Sequence, residues 1–183
     1  MTEELSEREL WHGGPVAFGM LFDRHARAVY NHCFRLTASW AEAEDLTQQT
    51  FLTAWRRRAD LEPAGGSVLP WLLVTATNIA RTARRSLRRR LGLLARLPDP
   101  GFQADHADDV ADRIDAQRRM AGLRAALAVL SRAEREAFEL VVWSGVGYPE
   151  AAVALGIAEG SVRSRVSRAR ARLSARTTID KEL

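Results

Sequence analysis

Apolar residues recur at three- and four-residue steps along most of this chain, and that spacing is its strongest constraint on fold. Between Phe18 and Leu36 the apolar positions fall on one face of a helix, and the same spacing returns in later segments. No segment of useful length alternates apolar and polar residues as a half-buried strand does. The sequence therefore predicts an all-α fold.

Helix-breaking and helix-capping residues organise the first half of the chain. A Gly-Gly-Pro sequence at 13–15 closes a polar tail. Ser39 can cap a helix over 40–58, and Glu42 is placed to complete a capping box. Pro70 fits the first turn of the next helix, where its missing N–H has no cost. The pattern predicts a helical N-terminal domain that begins after the tail.

The second half is separated from the first by a break and an acidic stretch. Pro-Asp-Pro-Gly at 98–101 and the acidic segment to about residue 112 are short of large apolar residues, which indicates a flexible linker. Beyond it, Ser131 and Glu134 form a capping-box pair, and Pro149 can open a further helix. The chain is predicted to form two small helical domains on an acidic linker. The predicted boundaries are a tail at 1–14, domains at 15–92 and 114–176, a linker at 93–113 and a tail at 177–183.

The charge is arranged in blocks, although the net charge is only +4. Segment 81–96 holds seven arginines and no acid, and segment 163–176 holds six arginines and no acid. Between them, 99–115 carries six aspartates against Arg113 alone. Two cationic surfaces on a small protein favour nucleic acid as a partner. Solvated helix faces without a bound polyanion are the alternative interpretation.

Several functional classes are disfavoured by composition. Cys33 is the one cysteine, so neither an internal disulfide nor a cysteine-based metal site is expected. No stretch approaches the roughly 18 uncharged apolar residues of a spanning helix, and the acidic N-terminus is unlike a signal peptide. The sequence predicts a cytoplasmic protein without membrane insertion, metal or cofactor. His25 lies on an apolar helix face and is expected in the core.

The clearest motif lies near the C-terminus. A short helix at 148–155, a turn at Gly156 and a longer helix at 159–173 have the spacing of a helix-turn-helix. Gly156 supplies the positive φ that a sharp turn requires. On the second helix, four residues form a buried stripe: Val162, Val166, Ala169 and Leu173. The residues proposed to contact duplex DNA lie away from that stripe and are Ser161, Arg163, Ser164, Arg165 and Arg168. A hairpin whose arginines only confer solubility is the alternative.

The N-terminal domain carries two other candidate surfaces. Helix 40–58 exposes a polar face that could dock on a protein or could simply be solvated, and its candidates are Asp45, Gln48 and Gln49 beside Glu44. The next helix combines an aromatic, an amide and arginines, which can bind an unstacked base and its phosphates: Trp71, Asn78, Arg81, Arg84 and Arg85. Trp71 also fits a core position.

Taken in order, these segments resemble an extracytoplasmic-function (ECF) sigma factor of bacterial RNA polymerase. Segment 42–55, Glu-Ala-Glu-Asp-Leu-Thr-Gln-Gln-Thr-Phe-Leu-Thr-Ala-Trp, is similar to the family's region 2.2. Pro-Trp-Leu at 70–72, followed by Ala76, Asn78 and an arginine run, is similar to regions 2.3 and 2.4. Segment 130–173 is similar to region 4.

The resemblance implies a division of labour between surfaces. Asp45, Gln48 and Gln49, hereafter the clamp set, would dock on the coiled coil of the clamp of core RNA polymerase. Five residues, hereafter the minus-ten set, would hold the melted non-template strand of the promoter: Trp71, Asn78, Arg81, Arg84 and Arg85. The loop 61–69 would form a pocket for a flipped base. The minus-thirty-five set would read duplex DNA in the major groove: Ser161, Arg163, Ser164, Arg165 and Arg168.

The resemblance also implies what the chain lacks and what regulates it. Phosphodiester formation would belong to the polymerase, so no catalytic residue is expected here. The acidic linker would run toward the RNA exit path, and an anti-sigma factor would cover both DNA-binding domains. The sequence departs from the family at four positions, where other residues are common: Thr77, Thr82, Pro149 and Ala151.

Two other functions remain as alternatives. A regulator that binds DNA without the polymerase would explain residues 120–176 but not the 42–55 pattern or the arginines of 81–96. A DNA-processing enzyme would need a nucleophile or a carboxylate cluster for metal ions. The serines show no supporting constellation, and the aspartate cluster lies in the predicted linker. A sigma factor is therefore the predicted function.

Overall fold

The computed structural model describes residues 5–61, 66–94 and 107–179, and the regular elements in these ranges are all helices. The all-α prediction is therefore confirmed. The elements are α1 (Glu7–His12), α2 (Pro15–Thr37), α3 (Trp40–Arg57), α4 (Leu69–Leu94), α5 (Ala107–Ala126), α6 (Arg132–Phe138), α7 (Tyr148–Leu155) and α8 (Glu159–Ile179). Within this part of the chain no helix is long and apolar enough to cross a lipid bilayer.

The N-terminal domain is a bundle of α2, α3 and α4 that pack on one another. Pro15 occupies the first turn of α2, as Pro does where its missing N–H is not needed. At the other end, Ala38 adopts a left-handed conformation (φ 57°) and donates its N–H to the Phe34 carbonyl. Ser39 then caps α3, because its hydroxyl accepts the Glu42 N–H at 3.3 Å. These contacts turn the chain sharply between α2 and α3.

Residues assigned to a polar tail form α1 instead. Ser6 and Glu9 make a complete capping box at the start of this helix, which ends at His12. Leu10 and Trp11 are fully buried in the core of the N-terminal domain. Segment 1–14 is predicted to lie outside the fold because few large apolar residues interrupt its polar sequence. Residues 7–12 are nevertheless part of the domain.

The C-terminal domain forms from α6, α7 and α8. The predicted capping box at Ser131 and Glu134 is present at the start of α6. The chain then continues into a π-helical turn over Glu139–Trp143 before α7. Gly156 ends α7 at φ 65°, and α8 begins three residues later. The predicted stripe faces the interior, with Val162, Val166 and Ala169 buried and Leu173 half-buried.

Helical residues occupy both ends of the predicted linker. Helix α4 extends to Leu94 and α5 begins at Ala107, so both helices enter the interval 93–113. Residues 95–106 of that interval lie outside the described residues, as do 62–65 of the loop at 61–69.

The two domains pack against each other. The prediction of two helical domains on a linker does not include this contact. One cluster of buried apolar residues runs from Leu72 and Ala76 of α4 to Leu140 and Val146 of the C-terminal domain. A polar contact from α2 also joins the domains: the Arg35 guanidinium donates to the Trp143 carbonyl at 2.6 Å. Helix α4 therefore has one side against a neighbouring domain.

Candidate polymerase and nucleic-acid interfaces

A groove between α3 and α4 brings together residues from two of the predicted sets. It has a volume of about 450 Å³, and Gln49 of the clamp set borders it with Trp71 and Asn78 of the minus-ten set. Asn78 is exposed, whereas Trp71 is half-buried and packs against the domain core as well as the groove. Trp71 therefore lies partly in the core and partly at the groove, which are the two locations that the sequence leaves open for it.

The clamp set lies on the exposed side of α3. Asp45, Gln48 and Gln49 are all exposed, because the opposite side of the helix is buried through Leu46 and Thr50. Thr50 satisfies its buried hydroxyl by donating to the Leu46 carbonyl at 2.6 Å. The face is thus polar, accessible and continuous with the groove through Gln49.

The arginines of the minus-ten set do not share that groove. Arg81, Arg84 and Arg85 line a second cleft, which α4 forms with the C-terminal domain. Arg81 forms an ion pair with Glu136 of α6 and donates to Asn78 Oδ1 at 3.0 Å. The five residues therefore lie on two sides of α4 rather than on one surface. For Arg81 and Arg84 the reason is helical geometry, since positions 71, 75 and 78 diverge from 77, 81 and 84 around the axis. Arg85 follows Asn78 by two turns and leaves the helix near the same side as Asn78, although its side chain borders the second cleft.

Burial changes the charge properties of this cleft. Desolvation lowers the pKa of the Arg81 guanidinium from its ordinary value, although the neighbouring Glu136 carboxylate opposes that change. Desolvation also raises the pKa of Glu139 to about 7, against the opposing effect of Arg135. Glu139 is not among the residues predicted from the sequence, because spacing alone does not show which face of the helix a single glutamate between apolar residues occupies.

A buried histidine joins the two domains beside the cleft. His32 is fully buried; its Nε2 lies 2.9 Å from Thr77 Oγ1 and its Nδ1 lies 3.2 Å from Ser144 Oγ. Burial lowers the pKa of His32 to about 4, so the imidazole is neutral at pH 7. These contacts give a reason for one departure from the family pattern. Thr77 meets a buried imidazole, where a long basic side chain would be crowded and poorly solvated.

The minus-thirty-five set lies on the outer side of α8. Ser161, Arg163, Ser164 and Arg168 are exposed, and Arg165 is half-buried. Arg163 Nε donates to Glu159 at 3.0 Å, and its guanidinium lies 4.7 Å from the centre of the Tyr148 ring. The outer face of α8 is rich in arginine and open to solvent, although Arg163 is paired with Glu159.

Glu134 orients arginines of α8 from the start of α6. Its carboxylate lies 3.4 Å from Arg168 Nε and 3.1 Å from Arg172 Nη1. The same carboxylate accepts the Ser131 N–H at 2.9 Å, which is the first cause of its lowered pKa. Sequence spacing predicts the capping role of Glu134. The contact with α8 is missed because it joins residues more than thirty positions apart.

The comparison with known families matches both domains. Residues 21–90 match the family model described as Sigma-70 region 2, and residues 121–173 match Sigma-70, region 4. The chain is 31% identical over 146 residues to the ECF RNA polymerase sigma factor SigL of Mycobacterium tuberculosis, which covers 80% of each protein. The chain belongs to the ECF family of RNA polymerase sigma factors.

Solved structures of related proteins agree with the fold of this sigma factor. CnrH, a protein of Cupriavidus metallidurans, was solved in complex with the cytosolic domain of CnrY. It is 28% identical, with a TM-score of 0.69 over 95% of this chain and 98% of that one. The sigma factor RpoE of Bartonella quintana was solved with the anti-sigma factor NepR. It is 29% identical, with a TM-score of 0.63 over 89% of this chain and 98% of that one.

Proposed function

We propose that this sigma factor binds core RNA polymerase through the clamp set and directs promoter recognition, promoter melting and transcription initiation. Family membership supports the overall role, and the exposure of Asp45, Gln48 and Gln49 supports the docking surface. In this proposal the chain acts in the cytoplasm and contributes no catalytic residue, because RNA synthesis is the chemistry of the polymerase.

The melted non-template strand binds in the groove between α3 and α4. Trp71 offers an aromatic surface on which a base can stack, and Asn78 offers both hydrogen-bond donors and an acceptor to a base edge. Gln49 lies at the same groove, so the docked polymerase and the bound strand are neighbours. The observation that carries the proposal is this meeting of the two predicted sets at one groove.

Arg81 of α4 binds a phosphate only after a rearrangement. Arg81 is paired with Glu136 of the C-terminal domain in this structure, so DNA and Glu136 compete for the same guanidinium. Arg85 is exposed and needs no such exchange. Phosphate contacts therefore strengthen when the two domains separate.

The minus-thirty-five element binds to α8 as duplex DNA. The exposed serines at the centre of the helix face are small, so the helix can approach the floor of the major groove closely. The arginines around them can reach base edges or phosphates. Glu134 limits the directions that Arg168 and Arg172 can take. In the proposal this fixed direction helps the helix to select one duplex sequence.

An anti-sigma factor is the proposed regulatory partner. The RpoE structure contains the anti-sigma factor NepR, and this chain shares the fold of that sigma factor over most of its length. By this similarity, such a partner would hold both domains away from the polymerase and the promoter.

The experiment that tests the docking surface is a pull-down with bacterial core RNA polymerase. The wild type is expected to form a stoichiometric complex, and the Asp45→Ala/Gln48→Ala double variant is expected to lose it. Arg168→Ala serves as the control, because it alters a cationic surface on the other domain and should leave the complex intact. A wild type that binds duplex DNA alone and ignores the polymerase would instead favour a stand-alone regulator.

A further inference from the structure

Helix α1 contacts both described ends of the connection between α3 and α4. Trp11 donates its indole N–H to the Leu61 carbonyl at 2.8 Å. Glu7 accepts the backbone N–H of Val68 at 2.6 Å, directly before the first residue of α4. Two side chains one turn apart on α1 therefore hold Leu61, which lies four residues beyond the end of α3, and Val68, which lies directly before α4.

Glu7 is itself held from a third helix. His25 Nε2 of α2 lies 2.7 Å from Glu7 Oε1, and Arg24 Nη1 lies 4.0 Å from the same oxygen. The Glu7 side chain is 15% exposed, so little of it reaches solvent. A carboxylate at the N-terminus of α4 also interacts favourably with the positive end of that helix's dipole. Glu7 therefore connects α2 to the start of α4.

Trp11 also contacts the aromatic ring at the groove. The rings of Trp11 and Trp71 meet edge to face, with centroids 5.4 Å apart and planes at 76°. Trp11 is fully buried, whereas Trp71 has its other side on the groove beside Asn78. The ring that borders the groove is thus supported from behind by α1.

We infer that Glu7 and Trp11 are positioning residues for the melted promoter strand. They fix the start of α4 and the plane of Trp71, and neither residue borders the groove itself. The inference rests on the proposed function, because it assumes that the groove binds that strand. A stacking platform binds a base well only when its ring is already held in place, since ordering the ring otherwise opposes binding.

The test measures strand binding by the complete holoenzyme. A single-stranded DNA library with randomised positions is first enriched on wild-type holoenzyme, and one enriched oligonucleotide becomes the probe. Glu7→Ala and Trp11→Phe are each expected to weaken binding of this probe by about fivefold or more, as loss of one well-held stacking contact does. Core polymerase binding and duplex binding by α8 are expected to stay at the wild-type level.

Conservative variants separate positioning from general stability. Glu7→Gln keeps an oxygen that can accept the Val68 N–H, so it should recover most of the strand affinity that Glu7→Ala loses. Glu9→Gln is the matched control on the same helix, because Glu9 bonds Ser6 at the exposed start of α1. All variants are assayed well below their unfolding temperatures, so that unfolded protein does not mimic a loss of strand affinity.

The outcomes distinguish this inference from the proposed function. Wild-type strand affinity in Glu7→Ala and Trp11→Phe, with the wild type binding the probe, would overturn the positioning role alone. Failure of the wild-type holoenzyme to enrich any sequence would overturn the groove as a strand site, and the inference with it. Equal losses of strand, duplex and polymerase binding would show that α1 only maintains the fold.

Discussion

The arginine-rich helices α4 and α8 have similar compositions but different surroundings. On α4, Arg81 is paired with Glu136 of the other domain, and Arg84 donates to the Leu36 carbonyl of α2. On α8, Arg163 and Arg168 keep 61% and 57% of their side-chain surface exposed, and their ion pairs are with their own domain. A run of arginines therefore does not by itself define a DNA-binding face. The partners of each guanidinium decide whether it is presented to DNA or used within the protein.

The largest expected effect comes from breaking the buried side of α8. Val166 is 1% exposed, so Val166→Asp would bury a carboxylate without a partner. We expect the free energy of unfolding of the C-terminal domain to fall by about 4 kcal/mol or more, measured by urea unfolding. Arg170→Asp is the control on the exposed side of the same helix and should cost far less. Similar losses in both would mean that α8 is not packed through this stripe.

The domain contact beside α4 contains two groups with opposite pH dependences. Glu139 has its pKa raised from 4.5 to about 7, so its contribution to stability is full below pH 4.5 and is lost as the pH rises through 7. His32 has its pKa lowered from 6.5 to about 4, so its contribution is full above pH 6.5 and is lost as the pH falls through 4. In the wild type the two effects oppose each other between these limits.

Removing one group exposes the effect of the other. Relative to wild type, Glu139→Gln should lose stability as the pH falls from 7 to 4.5. His32→Gln should gain relative stability as the pH falls from 6.5 to 4. Each slope is at most about 1.4 kcal/mol per pH unit, because one proton is involved. Urea unfolding at a series of pH values measures both, and parallel profiles for all three proteins would contradict the assignment.

The different surroundings of α4 and α8 predict different losses of duplex DNA affinity for arginine variants of the two helices. Arg168→Ala should weaken binding of a duplex enriched on the wild-type protein by about 1–3 kcal/mol, if this arginine contacts a base. Arg81→Ala should leave duplex affinity nearly unchanged, because Arg81 faces the domain contact rather than the outer side of α8. Fluorescence anisotropy with labelled duplex measures both. Equal losses would mean that the two helices form one DNA surface.

The smallest effect concerns the ion pair that joins the domains. Glu136→Gln removes the carboxylate partner of Arg81 and should weaken the domain contact by about 1 kcal/mol, since this pair is only partly exposed. Small-angle X-ray scattering should then show a larger radius of gyration. Glu159→Gln is the matched control, because it breaks an exposed pair within α8 and should leave the radius unchanged. An unchanged radius in Glu136→Gln would assign the contact to apolar packing alone.

Local patterns predicted the elements that depend on neighbouring residues in sequence. The stripe of α8, the capping box at Ser131 and the turn at Gly156 each follow from spacing within one or two helical turns. The family resemblance, confirmed by the region 2 and region 4 matches, also followed from such local patterns.

Contacts between distant residues were not predictable in the same way. The pairing of Arg81 with Glu136 and of His32 with Ser144 joins positions from separate domains, and no periodicity records it. Helix α1 was missed because Leu10 and Trp11 are too few to produce a helical stripe, although both are fully buried. The split of the minus-ten set likewise depends on which side of α4 the C-terminal domain occupies.

Glu134 links two features that could otherwise diverge independently during evolution. Its carboxylate closes the capping box of α6 and holds Arg168 and Arg172 on α8, the helix proposed to bind duplex DNA. A mutation that replaced Glu134 to suit a new promoter would also weaken the start of α6. Likewise, replacement of both arginines would leave a nearly buried acid without its cationic neighbours. Divergence of promoter preference among descendants of this protein is therefore expected to proceed at other α8 positions first, with residues 134, 168 and 172 changing together.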